Sequence, residues 1–248
     1  MSLQDLIFFA GARIIRLALP PRPICRKART GLFFSGVGSL RNEPAVKRAV
    51  AFIDGQNLFH SARSAFGYTY PNYDVAALSG AVCANRGWQL AQVRFYTGVP
   101  DSGDDARWSA FWAAKLLHMS RRDIFTFTRA LRYRNQVVNL PDGSQHAFLA
   151  AEEKGIDVRI AIDVIRMAHR CEYDVAVIFS QDQDLSEVAA EVRVISEEQN
   201  RWIKVASAFP VSPAARNKRG INSTDWVQID RALYDACVDP RDYRPKRP

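Results

Sequence analysis

The sequence predicts an α/β fold in which helices cover both faces of a mainly parallel sheet, with a β-hairpin inserted beside it. Two apolar runs, residues 49–53 and 175–179, have the length and composition of buried parallel strands. Strand-like and helix-like stretches alternate along most of the chain, which is typical of a sheet sandwiched between helices. The chain has 248 residues, of which 48% are hydrophobic, and is therefore long enough to bury one core of this kind.

Residues 1–46 are expected to form a basic, loosely ordered extension. Nine Lys/Arg and two Asp/Glu lie in residues 1–50, against 25 and 24 in residues 51–248. The net charge of +8 therefore belongs mainly to the extension, and it is poor evidence that the domain binds nucleic acid. Residues 3–19 are apolar with interrupting arginines, so a membrane-surface or partner-binding helix is the alternative there.

The folded domain is expected to span residues 47–235, and a basic tail to follow at 236–248. The first strand ends at Asp54, and Gly55 permits a sharp turn into a helix that carries Asn57. Both polar side chains would then lie at the carboxyl edge of the sheet, where open α/β sheets bind their ligands. Further along, the pattern predicts helices at 75–84 and 106–119 and a strand at 92–97.

Residues 124–133 and 136–149 alternate in a way that predicts the two strands of the hairpin. The stretch 107–134 holds seven Lys/Arg and one acid, interleaved with aromatic residues. Cations that bind phosphates and rings that stack on bases are what a single-stranded nucleic acid requires. Arg132 and Arg134 would share one strand face and are therefore substrate-binding candidates, whereas core tryptophans and solvated arginines are the competing interpretation.

Acidic residues recur where predicted elements begin or end. A helix over 157–168 begins at Asp157, while Asp182 and Asp184 follow the strand at 175–179. Each acid alone could cap a helix. We expect these acids and Asp54 to meet at one edge of the sheet and bind a divalent metal, because hard cations prefer oxygen ligands. A helix at 186–197, a strand at 202–206 and a loop at 209–220 complete the domain.

Three blocks in this order resemble the signature of NYN domain proteins, which belong to the PIN-like nuclease superfamily. The blocks are residues 53–57, 154–157 with Asp163, and 180–184, and the resemblance covers about residues 47–235. The chain is most similar to the bacterial branch grouped with LabA-type proteins. Two positions depart from the family pattern, which usually has glycine where this chain has Gln181 and an aromatic residue where it has Leu185. A side chain at position 181 could crowd the turn that presents Asp182.

The resemblance implies a PIN-like (Rossmann-like) three-layer α/β/α sandwich. It also implies a carboxylate cluster that binds one or two Mg²⁺ or Mn²⁺ ions and cleaves RNA endonucleolytically. Asp163 lies six positions beyond Asp157, about 120° around a helix, so we expect it to have only a supporting role. The candidate site contains Asp54, Asp157, Asp182 and Asp184 as catalytic and metal-binding residues, Asn57, Ser180 and Asp163 as supporting residues, and Arg132, Arg134 and Lys154 as substrate-binding residues.

Three functions are compatible with these residues. The first is a metal-dependent endoribonuclease acting on single-stranded RNA, in which attack by water would leave a 5′-phosphate. The second is a non-catalytic RNA-binding or regulatory module, and the third is a phosphohydrolase for small substrates. The third lacks the usual D-x-D pattern, because Gln56 takes the second acidic position.

Cellular location and assembly follow less directly from the sequence. The four cysteines are far apart in sequence and form no CxxC, so reduced thiols and a cytoplasmic location are expected. No apolar run reaches the roughly 18 residues of a spanning helix, so no membrane is expected for the domain. The sequence leaves open whether the chain forms a homodimer.

Overall fold

A six-stranded sheet forms the centre of the protein. The computed structural model describes residues 41–139 and 144–245. All pairings in the central sheet are parallel, and the strand order is β3-β2-β1-β6-β7-β8, which confirms the predicted parallel sheet. The strands are β1 Lys47–Asp54, β2 Trp88–Val99, β3 Phe125–Ala130, β6 Val175–Phe179, β7 Lys204–Pro210 and β8 Asp225–Ile229, with the hairpin strands β4 Arg132–Asn139 and β5 Gln145–Glu152 apart from them.

Helices pack on both faces of this sheet. They are α1 Gly55–Phe66, α2 Val75–Asn85, α3 Ala106–Ser120, α4 Ile156–His169, α5 Ser186–Glu198 and α6 Arg231–Asp235. Strand β1 alternates between the two cores, because Ala51 and Ile53 pack with α1, α2, α3 and α6, whereas Val50 and Phe52 pack with α4 and α5. The predicted three-layer α/β/α sandwich is therefore confirmed.

The hairpin begins later along the chain than the sequence pattern indicated. The run 124–133, expected to be one hairpin strand, divides at Leu131, whose backbone N–H donates to the carbonyl of Val99. Before this point, β3 pairs with β2 at the edge of the parallel sheet. Phe125 and Phe127 cause the difference, because their alternation packs both rings near Tyr96 in the central sheet. The antiparallel hairpin then consists of β4 and β5.

The ends of the domain differ in how much is described. Of the expected N-terminal extension, residues 1–46, the part up to residue 40 lies outside the described residues. At the other end, packing continues past residue 235, since Cys237 and Asp239 are buried and Tyr243 packs edge-on against Phe111. No helix among the described residues is long and apolar enough to cross a membrane.

The strand order explains why a site can form beside β1. From β1 the sheet grows towards β2 and β3 on one side, and towards β6, β7 and β8 on the other. Ligands of open α/β sheets bind at such a reversal, outside the carboxyl ends of the strands. Ile53 pairs in register with Phe179, so Asp54 and Ser180 follow neighbouring strand ends.

A buried ion pair holds α4 against β2. Asp163 is fully buried and accepts hydrogen bonds from Arg94 and from the Tyr96 hydroxyl, each at 2.9 Å. Arg159 and Arg166 reach its second oxygen from α4 itself. Burial would raise the pKa of Asp163, but the hydrogen bonds from Arg94 and Tyr96 outweigh it and hold that pKa below its ordinary value. This network fixes the position of α4 on the sheet.

Replacing Asp163 by Asn is expected to lower the free energy of unfolding by about 3–5 kcal/mol, because Arg94 would stay buried without its carboxylate partner. Urea unfolding of the purified protein measures the difference. Asp225→Asn is the matched control, since it removes the exposed partner of Lys204 and should cost at most about 1 kcal/mol. Equal losses in the two variants would contradict a structural role for this pair.

Candidate functional site

Asp54 is a buried carboxylate at the end of the central strand. Its side chain is 6% exposed. One oxygen accepts the backbone N–H of Asn57 at 3.0 Å, which caps α1, and the other lies 3.4 Å from the Ser180 hydroxyl. The buried Tyr73 hydroxyl donates to the carbonyl of Gly55 and so fixes the turn that follows Asp54. The acid is thus held in place from three elements.

Two supporting residues join the first sequence block to the third. Asn57 accepts the backbone N–H of Gln181 through its side-chain oxygen at 2.9 Å. Ser180 accepts the backbone N–H of Asp182 at 3.1 Å while its own hydroxyl faces Asp54. The structure therefore brings Asp54, Asn57, Ser180 and Asp182 together, although they are separated by more than a hundred positions in the chain.

The third acid of the cluster comes from the start of α4. Asp157 lies in the first turn of this helix, which begins after Gly155. Gly155 has a φ of 74°, and a Cβ there would lie 2.9 Å from an Arg129 nitrogen, so only glycine fits this close approach. The charges of Asp182 and, less strongly, Asp157 raise the pKa of Asp54, and Asp182 is also joined to Asp54 through the Ser180 hydroxyl.

Glu153 is a member of the cluster that the sequence pattern did not single out. It accepts a hydrogen bond from the backbone N–H of Gly98 at the end of β2. Burial first, and then the charge of Asp54, raises its pKa to about 8. Its position directly before the second block was the available signal, but nothing in the sequence shows which of the neighbouring acids 152 and 153 turns inward.

We call the four acids Asp54, Glu153, Asp157 and Asp182 the acid cluster. Their negative charges have no counter-charge among the described residues. Burial is the main reason that the pKa of Asp54 rises to about 6, and the charges of Asp182 and Asp157 raise it further. Within residues 41–139 and 144–245, no Lys, Arg or His forms an ion pair with any of the four. Buried carboxylates without a counter-charge are costly, and a cation would relieve that cost.

The donor atoms suit a hard divalent cation, because all four side chains offer carboxylate oxygens. As placed, however, no three His, Cys, Asp or Glu side chains among the described residues are arranged to hold a metal ion. The acid cluster is therefore a set of neighbouring oxygens rather than a closed ligand set.

Two further predicted acids lie outside the acid cluster. Asp184 is exposed at a short 3₁₀ turn, Gln183–Leu185, and its backbone N–H donates to Asp182. Asp163 is fully occupied by the arginines and tyrosine around it, and it acts on the site by holding α4 in place.

The predicted basic and aromatic patch divides into core and surface. Phe111, Trp112 and Lys115 are buried, so these members belong to the core. Arg132 and Arg134 are exposed on β4, and Arg134 lies 3.5 Å from Glu152 across the hairpin. Lys154 is also exposed and lies 4.0 Å from the same Glu152. All three cations are thus on the surface next to the segment that carries Glu153.

Gln181 points away from the acid cluster instead of crowding it. Its side-chain nitrogen donates to the carbonyls of Asn217 and Arg219, and its oxygen accepts the Ser61 hydroxyl. Gln183 likewise donates to the carbonyl of Gly220. The two glutamines therefore hold a loop, residues 216–220, against the third block. We call residues 216–220 the basic loop, because this segment carries the exposed cations Arg216, Lys218 and Arg219.

Comparison with solved structures finds distant likenesses. A solved protein of unknown function from Vibrio parahaemolyticus is 18% identical, with 77% of this chain and 97% of that chain covered and a TM-score of 0.41. Ribokinase from Giardia lamblia is 9% identical over 70% of this chain and 53% of that chain, with a TM-score of 0.34. At these scores the likenesses carry no argument about function. None of the curated proteins matches.

A family model gives the decisive match. The model described as NYN domain matches residues 48–215, which include the whole acid cluster and both sequence blocks that Asn57 and Ser180 join. The match covers more than half of the chain and accounts for its nuclease-like fold with a six-stranded parallel sheet. The chain therefore belongs to the NYN domain family.

Proposed function

We propose that this protein is a metal-dependent endoribonuclease that hydrolyses phosphodiester bonds of single-stranded RNA at the acid cluster. The convergence of Asp54, Glu153, Asp157 and Asp182 without a counter-cation, at the reversal point of the sheet, carries the proposal. Membership in the NYN domain family supports it independently. The proposed location is the cytoplasm, and the proposed cofactor is Mg²⁺ or Mn²⁺, as one ion or two.

The residues of the site would have two roles, metal binding and the orientation of Asp54. The four acids would hold the ion, while Asn57 and Ser180 keep the carboxylate of Asp54 in one orientation. When bound, a divalent ion lowers the pKa of water and stabilises charge on the leaving oxygen. Attack in line by water would leave a 5′-phosphate and a 3′-hydroxyl, and no protein nucleophile is needed.

Phosphate groups of the substrate would contact cations on both sides of the acid cluster. Gln181 and Gln183 donate hydrogen bonds to carbonyls of the basic loop and hold it against the third block. The three cations of this loop are exposed. Lys154, Arg132 and Arg134 lie on the opposite side, on and after the hairpin. Exposed cations bind phosphates without base specificity, so they would position the strand but would not read its sequence.

The first prediction concerns hydrolysis itself. Incubation with end-labelled single-stranded RNA and Mn²⁺ or Mg²⁺ should give products with 5′-phosphates, and EDTA should abolish them. Asp54→Asn and Asp182→Asn should lower the cleavage rate at least about 100-fold, as loss of a charge-stabilising group at a reacting centre does. Asp184→Asn is the matched control, because this exposed acid lies outside the acid cluster and its loss should change the rate less than about 10-fold.

The other functions would give different results in the same assay. Tight RNA binding without cleavage under any metal condition would replace the proposal with a non-catalytic RNA-binding module. Turnover of a chromogenic phosphate ester, with RNA untouched, would instead favour a phosphohydrolase. If the Asp182 and Asp184 substitutions lowered the cleavage rate equally, the reaction site would not be the acid cluster.

The second prediction concerns pH and metal-free stability. Burial raises the pKa of Asp54 to about 6 and that of Glu153 to about 8, so the folded chain keeps protons that the unfolded chain has released. In EDTA, the free energy of unfolding should therefore fall as pH rises from about 5 to about 8. Glu153→Gln should reduce this slope and raise the melting temperature at about pH 8 by several degrees.

The same measurement has an internal check. Mn²⁺ should raise the melting temperature of the wild type more than that of Glu153→Gln, because binding to the folded state alone stabilises it. Identical slopes for the wild type and Glu153→Gln would contradict the buried, uncompensated position of Glu153.

The third prediction concerns the basic loop. Gln181→Ala removes the hydrogen bonds to the carbonyls of Asn217 and Arg219, so RNA affinity should fall while the maximal cleavage rate changes little. Lys218→Ala should reduce the slope of log affinity against log salt by about 1, as expected for one lost phosphate contact. Arg193→Ala, an exposed cation on α5, is the control. An unchanged salt slope in Lys218→Ala would exclude this contact.

A further inference from the structure

An aromatic cavity of about 350 Å³ opens beside the acid cluster. This volume lies within the roughly 300–1,000 Å³ typical of small-molecule sites. Gly55 and Gly98 form part of its lining. Gly55 directly follows Asp54, and the backbone N–H of Gly98 donates to Glu153, so these two glycines separate the cavity from two acids of the cluster.

The separating wall is thin because Gly98 has no side chain. A Cβ at this position would lie 2.7 Å from a carboxylate oxygen of Glu153 and 3.1 Å from the side-chain nitrogen of Gln56. Any larger residue would push one of these groups away or fill the mouth of the cavity. A ligand in the cavity is therefore within reach of the groups that surround the acid cluster.

Flat rings from three different elements line the cavity. Phe59 and His60 come from α1, Trp108 and Trp112 from α3, and Tyr133 from β4 of the hairpin. The tryptophans are fixed in advance, because both rings pack edge-on against the buried ring of Phe111, with centroids 5.0 and 5.3 Å away. Trp112 is a core residue of which only 6% is exposed, so Trp108 offers the larger ring surface, and its fixed position costs little ordering when a ligand binds.

A few polar groups interrupt the rings. Gln56 offers an amide, and Asp105 offers a carboxylate oxygen beyond the one that caps α3 at the N–H of Trp108. Burial, and then the charge of Arg63, lowers the pKa of His60, and a neutral ring can both donate and accept. An apolar, ring-lined site with a few donors and acceptors matches the faces and edges of a nucleobase.

We propose that the aromatic cavity binds one unstacked nucleobase of single-stranded RNA, beside the phosphate held at the acid cluster. The inference rests on the proposed function and extends it from the backbone to the base. A base within a duplex cannot enter without being flipped out, which costs a few kcal/mol. The cavity would thus make the enzyme select single strands, which exposed cations alone cannot do.

Base binding is tested apart from hydrolysis by using the Asp54→Asn variant, whose cleavage should be blocked. Single-stranded oligonucleotides carry 2-aminopurine at one position at a time, and stacking on a ring quenches its fluorescence. When the protein binds, the fluorescence of 2-aminopurine should be quenched at one position of the oligonucleotide. Tyr133→Ala in this background should weaken the affinity about 5- to 100-fold and restore the fluorescence, as loss of one stacking partner does. Tyr133→Phe should behave like the parent.

A matched control distinguishes the cavity from tyrosine loss in general. Tyr68→Ala removes a half-buried tyrosine that packs on Tyr234, outside the cavity, and should leave affinity and quenching unchanged. Trp108→Ala provides a second test from another wall of the cavity. Each variant is first checked for cooperative unfolding, so that a misfolded chain is not scored.

The outcomes separate this inference from the proposed function. Wild-type cleavage with unchanged quenching in both Tyr133→Ala and Trp108→Ala would overturn the base site and leave the nuclease standing. Quenching that depends on Tyr133, without cleavage by the wild type, would establish the base site and overturn the nuclease. Equal affinity for single-stranded and duplex RNA would also contradict the base site.

Discussion

Confined negative charge is the constraint on which the rest of this structure depends. Asp54 is buried at a strand end, and the charges of Asp157 and Asp182 act on it. Burial of a carboxylate is favourable only when hydrogen bonds or an opposite charge compensate for the lost water. Here the Asn57 N–H and the Ser180 hydroxyl compensate in part, and no cation of the described chain completes the compensation. The folded chain therefore carries an electrostatic cost at this edge of the sheet.

The remaining structure can be understood as what holds this charge in place. The parallel register brings the ends of β1 and β6 together, and Asn57 ties the helix after one to the turn after the other. On the far face, the Asp163–Arg94 pair fixes α4, which carries Asp157. Here an acid is matched by arginines and its pKa is lowered, whereas the unmatched Asp54 has a raised pKa. The two environments separate a structural acid from the candidate reactive ones.

The sequence was sufficient for the architecture, because strand and helix patterns are local, whereas the roles proposed for the site residues stay predictions. Runs of buried strand residues that end in acid predict where Asp54 and Asp182 lie in an α/β sheet. Tertiary packing decided the rest. The inward turn of Glu153 depends on the Gly98 N–H from a distant strand, and no local pattern encodes it. Similarly, Gln181 looked like an obstacle in the turn, but its side chain finds partners 36 and 38 residues later in the chain.

Under the proposed function, charged and aromatic residues would each contribute to RNA binding. Residues 51–248 hold almost equal numbers of basic and acidic side chains, 25 and 24, so no strong overall field draws RNA to the domain. Binding must therefore come from local arrangement. The basic loop offers charge for phosphates on one side of the acid cluster, and the aromatic cavity offers ring faces for a base near Gly98 on the other. Under the two proposals, a strand that contacts both would be unpaired at the point where its backbone meets the acids, so a preference for single strands would arise without any base-specific contact.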